Sequence, residues 1–331
     1  MNIMIKVFKI IPIVCFIAIF SLSAFSQTIS ISGTVKDAQG QPIPLAFIRD
    51  AQHYYATYAD SAGSFVIKAD PSSILTAIAV NYNDINVKID KNTHVDIVMI
   101  KGAPTAAGNS NSPATNMSSG NTLGFLTKQD LNVQGGSQGI KAGFNQEPTK
   151  GSPYQFNNWI HGFAISKGDS LLYDINNLYN FDKLTGNLVF TRDNNSIMQV
   201  KKEQIKSFYL FNGKLQPLIF VNEPVINGKP FVEVLLTTPK YKIYKKIETR
   251  LERASFHTDG IVETGHKYDE YIDVAKYYFV KLPGGQAQSI SLKKSTLKKI
   301  LEGDADKFIA AQGSRDVDED YMRDLSNSLN Q

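Results

Sequence analysis

Five histidines and a scatter of carboxylates are the groups through which this chain could do acid–base or metal chemistry. His53, His94, His161, His257 and His266 are dispersed, and no His-x-x-x-His pair or similar ligand spacing occurs. The densest grouping is His257, Asp259, Glu263 and His266. Imidazoles and carboxylates hold zinc when they converge, but the same run reads more simply as a polar hairpin between strands. Asp316-Val317-Asp318-Glu319-Asp320 has the acid density of a calcium loop. Tyr321 stands where such a loop needs glycine, and the distal glutamate is missing, so an acidic helix start is the better account. No Gly-x-Ser-x-Gly elbow between a strand and a helix is read, since the one match in spacing, Gly135 to Gly139, falls in the Gly- and Gln-rich stretch taken as linker, and no phosphate loop or dinucleotide turn is present. Paired carboxylates for glycoside hydrolysis need only spatial proximity, which keeps an uncharacterised hydrolase as an alternative reading. The expectation is a protein that is not an enzyme, with no catalytic residue, cofactor or metal.

Aromatic and basic groups are the remaining candidates. Tyr54, Tyr55 and Tyr58 cluster in one segment, and Tyr154, Phe156 and Trp159 in another. Aromatic rings offer large apolar faces with a polar tip, suited to sugar rings and peptides. Tyr54, Tyr55, Tyr58, Tyr154 and Trp159 are therefore the ligand-binding candidates, with core packing as the competing role. Lys240, Lys242, Lys245, Lys246, Arg250 and Arg253 form one basic cluster, and Lys293, Lys294, Lys298 and Lys299 another. Both read as solvated faces that could also meet anionic lipid or acidic glycan.

These residues must be placed by elements outside the cytoplasm. Lys6 and Lys9 precede the uncharged apolar run Ile10 to Phe20, and Ala24-Phe25-Ser26 supplies the small residues of a signal-peptidase site. Residues 1–26 are expected to be a signal peptide cleaved before Gln27, because the run is short for a span of about 20 residues and Pro12 interrupts it. Cys15 is the only cysteine and lies inside that run, so a mature chain would contain no thiol and no disulfide. Removing Lys6 and Lys9 lowers the formal charge from +4 to +2, which gives no reason to expect nucleic-acid binding.

Residues 27–100 alternate short β-rich runs with turn residues, with strands expected near 29–36, 45–49, 54–59, 64–68, 74–80, 85–89 and 95–100. Ile29, Ile31 and Val35, then Ile85, Val87 and Ile89, keep the two-residue period of a half-buried strand. Asp37-Ala38-Gln39-Gly40 and Asp60-Ser61-Ala62-Gly63 are tight turns. Strands at this spacing predict an antiparallel β-sandwich. Ser32-Gly33-Thr34-Val35, Asp37, Gly40, Pro42, Pro44-Leu45-Ala46, Thr57, Asp60, Gly63 and Phe65 resemble the carboxypeptidase regulatory-like domain, a transthyretin-like sandwich common in envelope proteins of Bacteroidota. The segment Val80-Asn81-Tyr82-Asn83-Asp84 departs from the family, which usually carries Gly-Tyr there. The resemblance implies a structural or binding module without peptidase activity.

Residues 101–150 are rich in Gly, Ala, Ser, Asn, Thr and Pro, at first almost exclusively, and read as a flexible linker. Leu123, Phe125, Leu126 and Phe144 are its few apolar anchors. Over 151–331 the β signal returns, with strands expected at Trp159–Ile165, Leu171–Ile175, Leu188–Thr191, Ile197–Val200, Ile205–Phe211, Leu218–Val221, Phe231–Leu236, Tyr241–Ile247, Tyr277–Leu282 and Ala287–Leu292, in an open meander or half-barrel with one wet face. Helical spacing then appears at Leu297, Ile300 and Leu301 with Ser295 as a candidate N-cap, at Phe308 and Ile309 behind Asp304, and at Val317, Tyr321, Leu325 and Leu329. Gly151-Ser152-Pro153-Tyr154, Trp159, Gly162, Leu172-Tyr173-Asp174, Ile205-Lys206-Ser207-Phe208, Phe231-Val232-Glu233-Val234-Leu235, Tyr277-Tyr278 and Leu292 to Leu297 resemble an uncharacterised family of secreted Bacteroidota proteins, which brings no known activity.

The fold class expected is mainly β: an N-terminal sandwich, a linker, and a second β-rich domain with C-terminal helices. The function expected is a non-catalytic envelope protein, periplasmic or peripheral to the outer membrane, that binds an envelope protein or glycan. Carbohydrate binding through the sandwich tyrosines is the alternative.

Overall fold

A computed structural model describes residues 28–102, 126–128 and 147–330, apart from Asn227, Asp259 and Gly260. The expected signal peptide and most of the expected linker lie outside these residues. The chain is mainly β with three short C-terminal helices.

The first unit is two facing sheets. One has the order Ser64–Ala69, Ile29–Asp37, Ile97–Met99; the other has the order Ala56–Tyr58, Phe47–Asp50, Ile74–Ile78, Ile85–Lys88. Alternation drives the packing: Ile31, Gly33 and Val35 are buried while Ser30 and Ser32 face out. Ile31, Val35, Ile48, Phe65, Ile67, Leu75 and Ile97 meet in the core between the sheets. Asp37 and Asp60 fix the two expected turns, each carboxylate accepting from two backbone amides 2.8–2.9 Å away. Two details differ from expectation. Ile29–Asp37 pairs with Ile97–Met99 in parallel, which the whole intervening sandwich is long enough to connect. Leu45 has φ 59°, so the second strand begins only at Phe47.

The second unit is built on a long sheet in the order Leu171–Leu172, His161–Ser166, Ile205–Phe211, Leu218–Val221, Val232–Thr237, Tyr241–Glu252, Tyr268–Lys281, Gln288–Ile290. Glu147–Lys150, from the stretch read as linker, adds in parallel to the Tyr268–Lys281 strand. A four-stranded sheet, with Leu178–Asp182 and Asn187–Thr191 as its first pair, lies against it. Phe181, Leu188 and Phe190 of that small sheet pack on Phe208, Leu210 and Phe220 of the long one.

The other face of the long sheet is not wet at this end. Phe163, Ile165 and Phe211 join Phe47, Tyr58 and Ile78 of the sandwich in a single buried cluster. The rings interlock: Phe47 and Phe163 have centroids 6.0 Å apart, Phe47 and Tyr173 4.6 Å, and Phe163 stacks on Tyr209 at 4.7 Å. A strand covered on both faces is buried continuously, and residues 162–165 are buried without a break. The sandwich and the long sheet therefore share a core.

The C-terminal helices cover the far end. We label them α1 (Lys294–Ile300), α2 (Asp306–Ala311) and α3 (Glu319–Leu329). Leu297, Ile309, Tyr321, Met322 and Leu325 pack on Tyr241, Ile243 and Phe279. Asp318 caps α3, its carboxylate accepting from the Tyr321 amide at 2.7 Å, as the acidic start implied. The other two expected caps are not used. Lys293 and Ala305 precede α1 and α2 without a side-chain cap, and Asp304 instead pairs with Lys240 at 2.9 Å.

Candidate functional site

The five aromatic candidates fall into three places. Tyr54 and Tyr55 lie side by side, with centroids 5.2 Å apart, and Tyr54 is 39% exposed. Tyr154 and Trp159 form a second pair at 5.6 Å, both half-buried. Burial, then the nearby Asp182 carboxylate, raise the Tyr154 hydroxyl above its ordinary pKa. Tyr58 is only 2% exposed and packs among Phe47, His161 and Phe211. Its hydroxyl makes a long hydrogen bond to the Gly162 carbonyl, 3.4 Å away. Its ring faces are occupied by protein, so Tyr54 and Tyr55 are the members of that trio with open area. No ring contact among the described residues joins the Tyr54–Tyr55 pair to the Tyr154–Trp159 pair.

The histidine and acid candidates do not gather. His257–Thr258 pairs with Glu263–Thr264 as a short polar hairpin, and His266 lies stacked on Tyr268 with Nδ1 2.9 Å from that residue's carbonyl oxygen. Asp259 lies outside the described residues. Among the described residues no three His, Cys, Asp or Glu side chains converge as a metal site. The first basic cluster is largely paired: Lys245 with Glu319, Lys246 with Glu248, Arg253 with Asp269.

Neither motif nor spacing announced an open charged cleft at the far end of the long sheet. It has a volume of about 280 Å³ and lies between the long sheet and the start of α3, with Gln155, Phe156 and Leu218 among its walls. At its base is Glu233, whose side chain is 2% exposed. Glu233 sits in an otherwise apolar strand directly opposite Lys245 on the neighbouring strand. Arg323, from α3, donates a short hydrogen bond to Glu233 Oε1. The other oxygen, Oε2, is 3.7 Å from Lys245 Nζ, beyond hydrogen-bond reach.

The lattice extends outward from this base. Lys245 Nζ is 3.0 Å from Glu319 Oε1, and the Tyr277 hydroxyl donates to the same oxygen at 2.8 Å. Arg323 also donates to Asp320 at 2.6 Å, and Asp320 meets Lys214 at 2.8 Å. Burial pushes the Glu319 carboxyl upward, but Lys245 and Tyr277 outweigh it and hold it below the usual range. Tyr277 is driven well above its ordinary value, by burial first and then by accommodating Glu319. A carboxylate held ionised this firmly accepts hydrogen bonds; it is poorly tuned to donate a proton near neutral pH.

Sequence reading singled out Lys245 and Glu319 separately, one as a solvated strand face and the other as a helix start. It missed Glu233, Arg323 and Tyr277 because they come together only when α3 docks. The available signal was Glu233 itself, a lone acid between Val232 and Val234 in a core strand.

No protein-family model matches the chain, and no curated protein matches it in sequence. Fold and site together define a mainly β protein with a shared core and an open polar cleft. No helix among the described residues is long and apolar enough to cross a membrane.

Proposed function

We propose that the protein is a non-catalytic binding or assembly component of the cell envelope, exported by its N-terminal signal segment and acting in the periplasm or at the outer-membrane surface. The first unit is read as a carboxypeptidase regulatory-like module, a reading supported by its two-sheet sandwich and its aspartate-held turns. The observation that carries the proposal is the aromatic seam. Phe47, Tyr58, Phe163 and Phe211 tie the sandwich to the long sheet in a shared core, leaving the tyrosine and Tyr154–Trp159 pairs and the charged cleft on a firm scaffold. Preorganised surfaces bind with less ordering cost than mobile ones. The test is capture of partners from outer-membrane extracts by immobilised mature protein, run beside a screen for hydrolytic turnover. Reproducible recovery of a specific protein or glycan without turnover is expected. Turnover with nothing retained would overturn the proposal.

A second reading is carbohydrate binding at the sandwich. It is favoured by the adjacent Tyr54 and Tyr55 rings at the rim of the seam. A glycan array decides it: Tyr54→Ala with Tyr55→Ala should abolish any signal that belongs to this face.

A further inference from the structure

We propose that two copies of this chain join edge to edge through the outer part of the Tyr241–Glu252 strand, which pairs antiparallel with its own copy about Thr249. This pairing is independent of the ligand readings above. On one side the strand is paired along its whole length, from Tyr241 opposite Lys281 to Glu252 opposite Glu270. On the other side the Val232–Thr237 strand covers only its first part, and that pairing ends with Glu233 opposite Lys245. Just upstream, Pro230 has no N–H to donate, and the Lys229 side chain reaches to the carbonyls of Lys183 and Leu184. The stretch from Lys246 to Glu252 is left as an open sheet edge. Arg250 is exposed there, and Glu248, Thr249, Leu251 and Glu252 are half-buried.

The direction of the backbone groups along this edge is fixed. The Tyr241 carbonyl accepts from the Thr238 amide on the Val232–Thr237 side, at 2.8 Å, and the Lys240 carbonyl accepts from the Leu282 amide on the other side, at 2.7 Å. Alternate residues of a strand face the same way, and the register with the Tyr268–Lys281 strand runs without a shift. Ile247, Thr249 and Leu251 therefore turn their N–H and C=O groups to the open side. Among the described residues no backbone hydrogen bond engages them. The Thr249 hydroxyl is already used, donating to Asp273 at 2.6 Å, so what this residue offers a partner is its backbone. Thr249 is the midpoint of the open stretch. A two-fold axis there sets Ile247 opposite Leu251 and Thr249 opposite its own copy, so the outward groups meet as hydrogen-bonded pairs.

Side chains select the same register. It sets Glu248 opposite Arg250 and Lys246 opposite Glu252, while apolar Ile247 meets apolar Leu251. Opposite charges directly across strands stabilise a pair, and like charges destabilise it. An axis at Glu248 would instead bring Lys246 against Arg250, and an axis at Arg250 would bring Glu248 against Glu252. Charges commonly guard open edges, but guarding requires no particular order, and this order is its own reversed complement. A two-fold contact also closes as a dimer, which covers the edge instead of propagating it.

The experiment is sedimentation equilibrium of the mature protein over a range of concentrations. A reversible monomer–dimer equilibrium is expected. Thr249→Pro removes an outward N–H at a position where an edge strand tolerates proline, and should weaken the dimer at least about tenfold. Arg250→Glu sets like charges opposite Glu248, and Glu248→Lys sets like charges opposite Arg250; each should weaken self-association about tenfold or more. Mixed in equal amounts, these two variants restore both charge pairs, and the mixture should dimerise within about threefold of the native affinity. That rescue keeps the proposal falsifiable even where a single variant loses stability. A monomer at every concentration would overturn it, and so would a dimer indifferent to all three substitutions. Loss in both charge variants without recovery on mixing would show that Glu248 and Arg250 do not face each other. A neutral Glu248→Lys beside a damaging Arg250→Glu would place the axis at Leu251 and overturn the register proposed.

Discussion

The ring of Tyr58 meets the ring of Phe211 edge-on, with centroids 5.0 Å apart. One residue belongs to the sandwich and the other to the long sheet, so the contact lies inside the core that the two units share. Around it, Phe47 and Phe163 are also fully buried. Truncating a buried phenylalanine removes its transfer energy and leaves a cavity. Phe163→Ala should therefore destabilise the whole chain by about 3–5 kcal/mol, read by denaturant unfolding. Tyr58→Phe removes only a long hydrogen bond and should cost no more than about 0.5–1.5 kcal/mol.

The same seam carries a pH dependence. Burial holds the His161 imidazole below its ordinary value of 6.5, and its Nδ1 has no hydrogen-bond partner. Above 6.5 the imidazole is neutral in both folded and unfolded chains and contributes nothing. As pH falls below that value, the unfolded chain takes up a proton that the folded chain resists, so stability drops. The loss stops growing once pH passes the lowered folded-state value. Melting temperatures measured between about pH 7.5 and pH 5 should fall more steeply for the native chain than for His161→Phe. Equal slopes would remove His161 from the account.

Glu233 gives a prediction about the ion lattice. Glu233→Gln leaves Arg323 and Lys245 without their buried counter-charge and should cost about 3–5 kcal/mol. Adding Arg323→Met to that variant should recover part of the loss, because a buried cation is no longer stranded. A double-mutant cycle measures this coupling directly, and additive effects would show that the two side chains do not interact.

Close backbone approach makes Gly33 sensitive. A Cβ there would stand 1.9 Å from the Val95 carbonyl oxygen and 2.8 Å from the Phe65 ring. Gly33→Ala should thus destabilise by about 1–3 kcal/mol or more through overpacking. Asp318→Ala, by contrast, removes only the α3 cap and should cost about 1 kcal/mol. Thermal unfolding of the two variants side by side checks the ranking.

Legibility from sequence followed the reach of each pattern. Ile205–Phe211 and Leu218–Val221 were readable to the residue because apolar runs there end in turn-forming residues. The Leu178–Asp182 strand was missed because Asn180 and Asp182 break its apolar pattern. Asn180 is buried nonetheless, since its side chain accepts from the Phe156 amide and donates to the Phe156 carbonyl. The Tyr241–Glu252 and Tyr268–Lys281 hairpin was read short at both strands, because its outer part is laced by Lys246, Glu248 and Lys276 rather than by apolar residues. The seam was invisible for another reason. Tyr58 and Phe163 look alike as sandwich core, ligand platform or interface until the partner surface is known. The charged cleft was invisible because its charged members come from two strands and α3, its walls from still other segments, and only their union is distinctive.

The central claim is that the sandwich and the long sheet act as one cooperative body. Differential scanning calorimetry of the mature chain tests it most directly. A single unfolding transition is expected, with calorimetric and van't Hoff enthalpies equal and with Phe163→Ala lowering the whole transition. Two separable transitions, only one of which moves in Phe163→Ala, would contradict it.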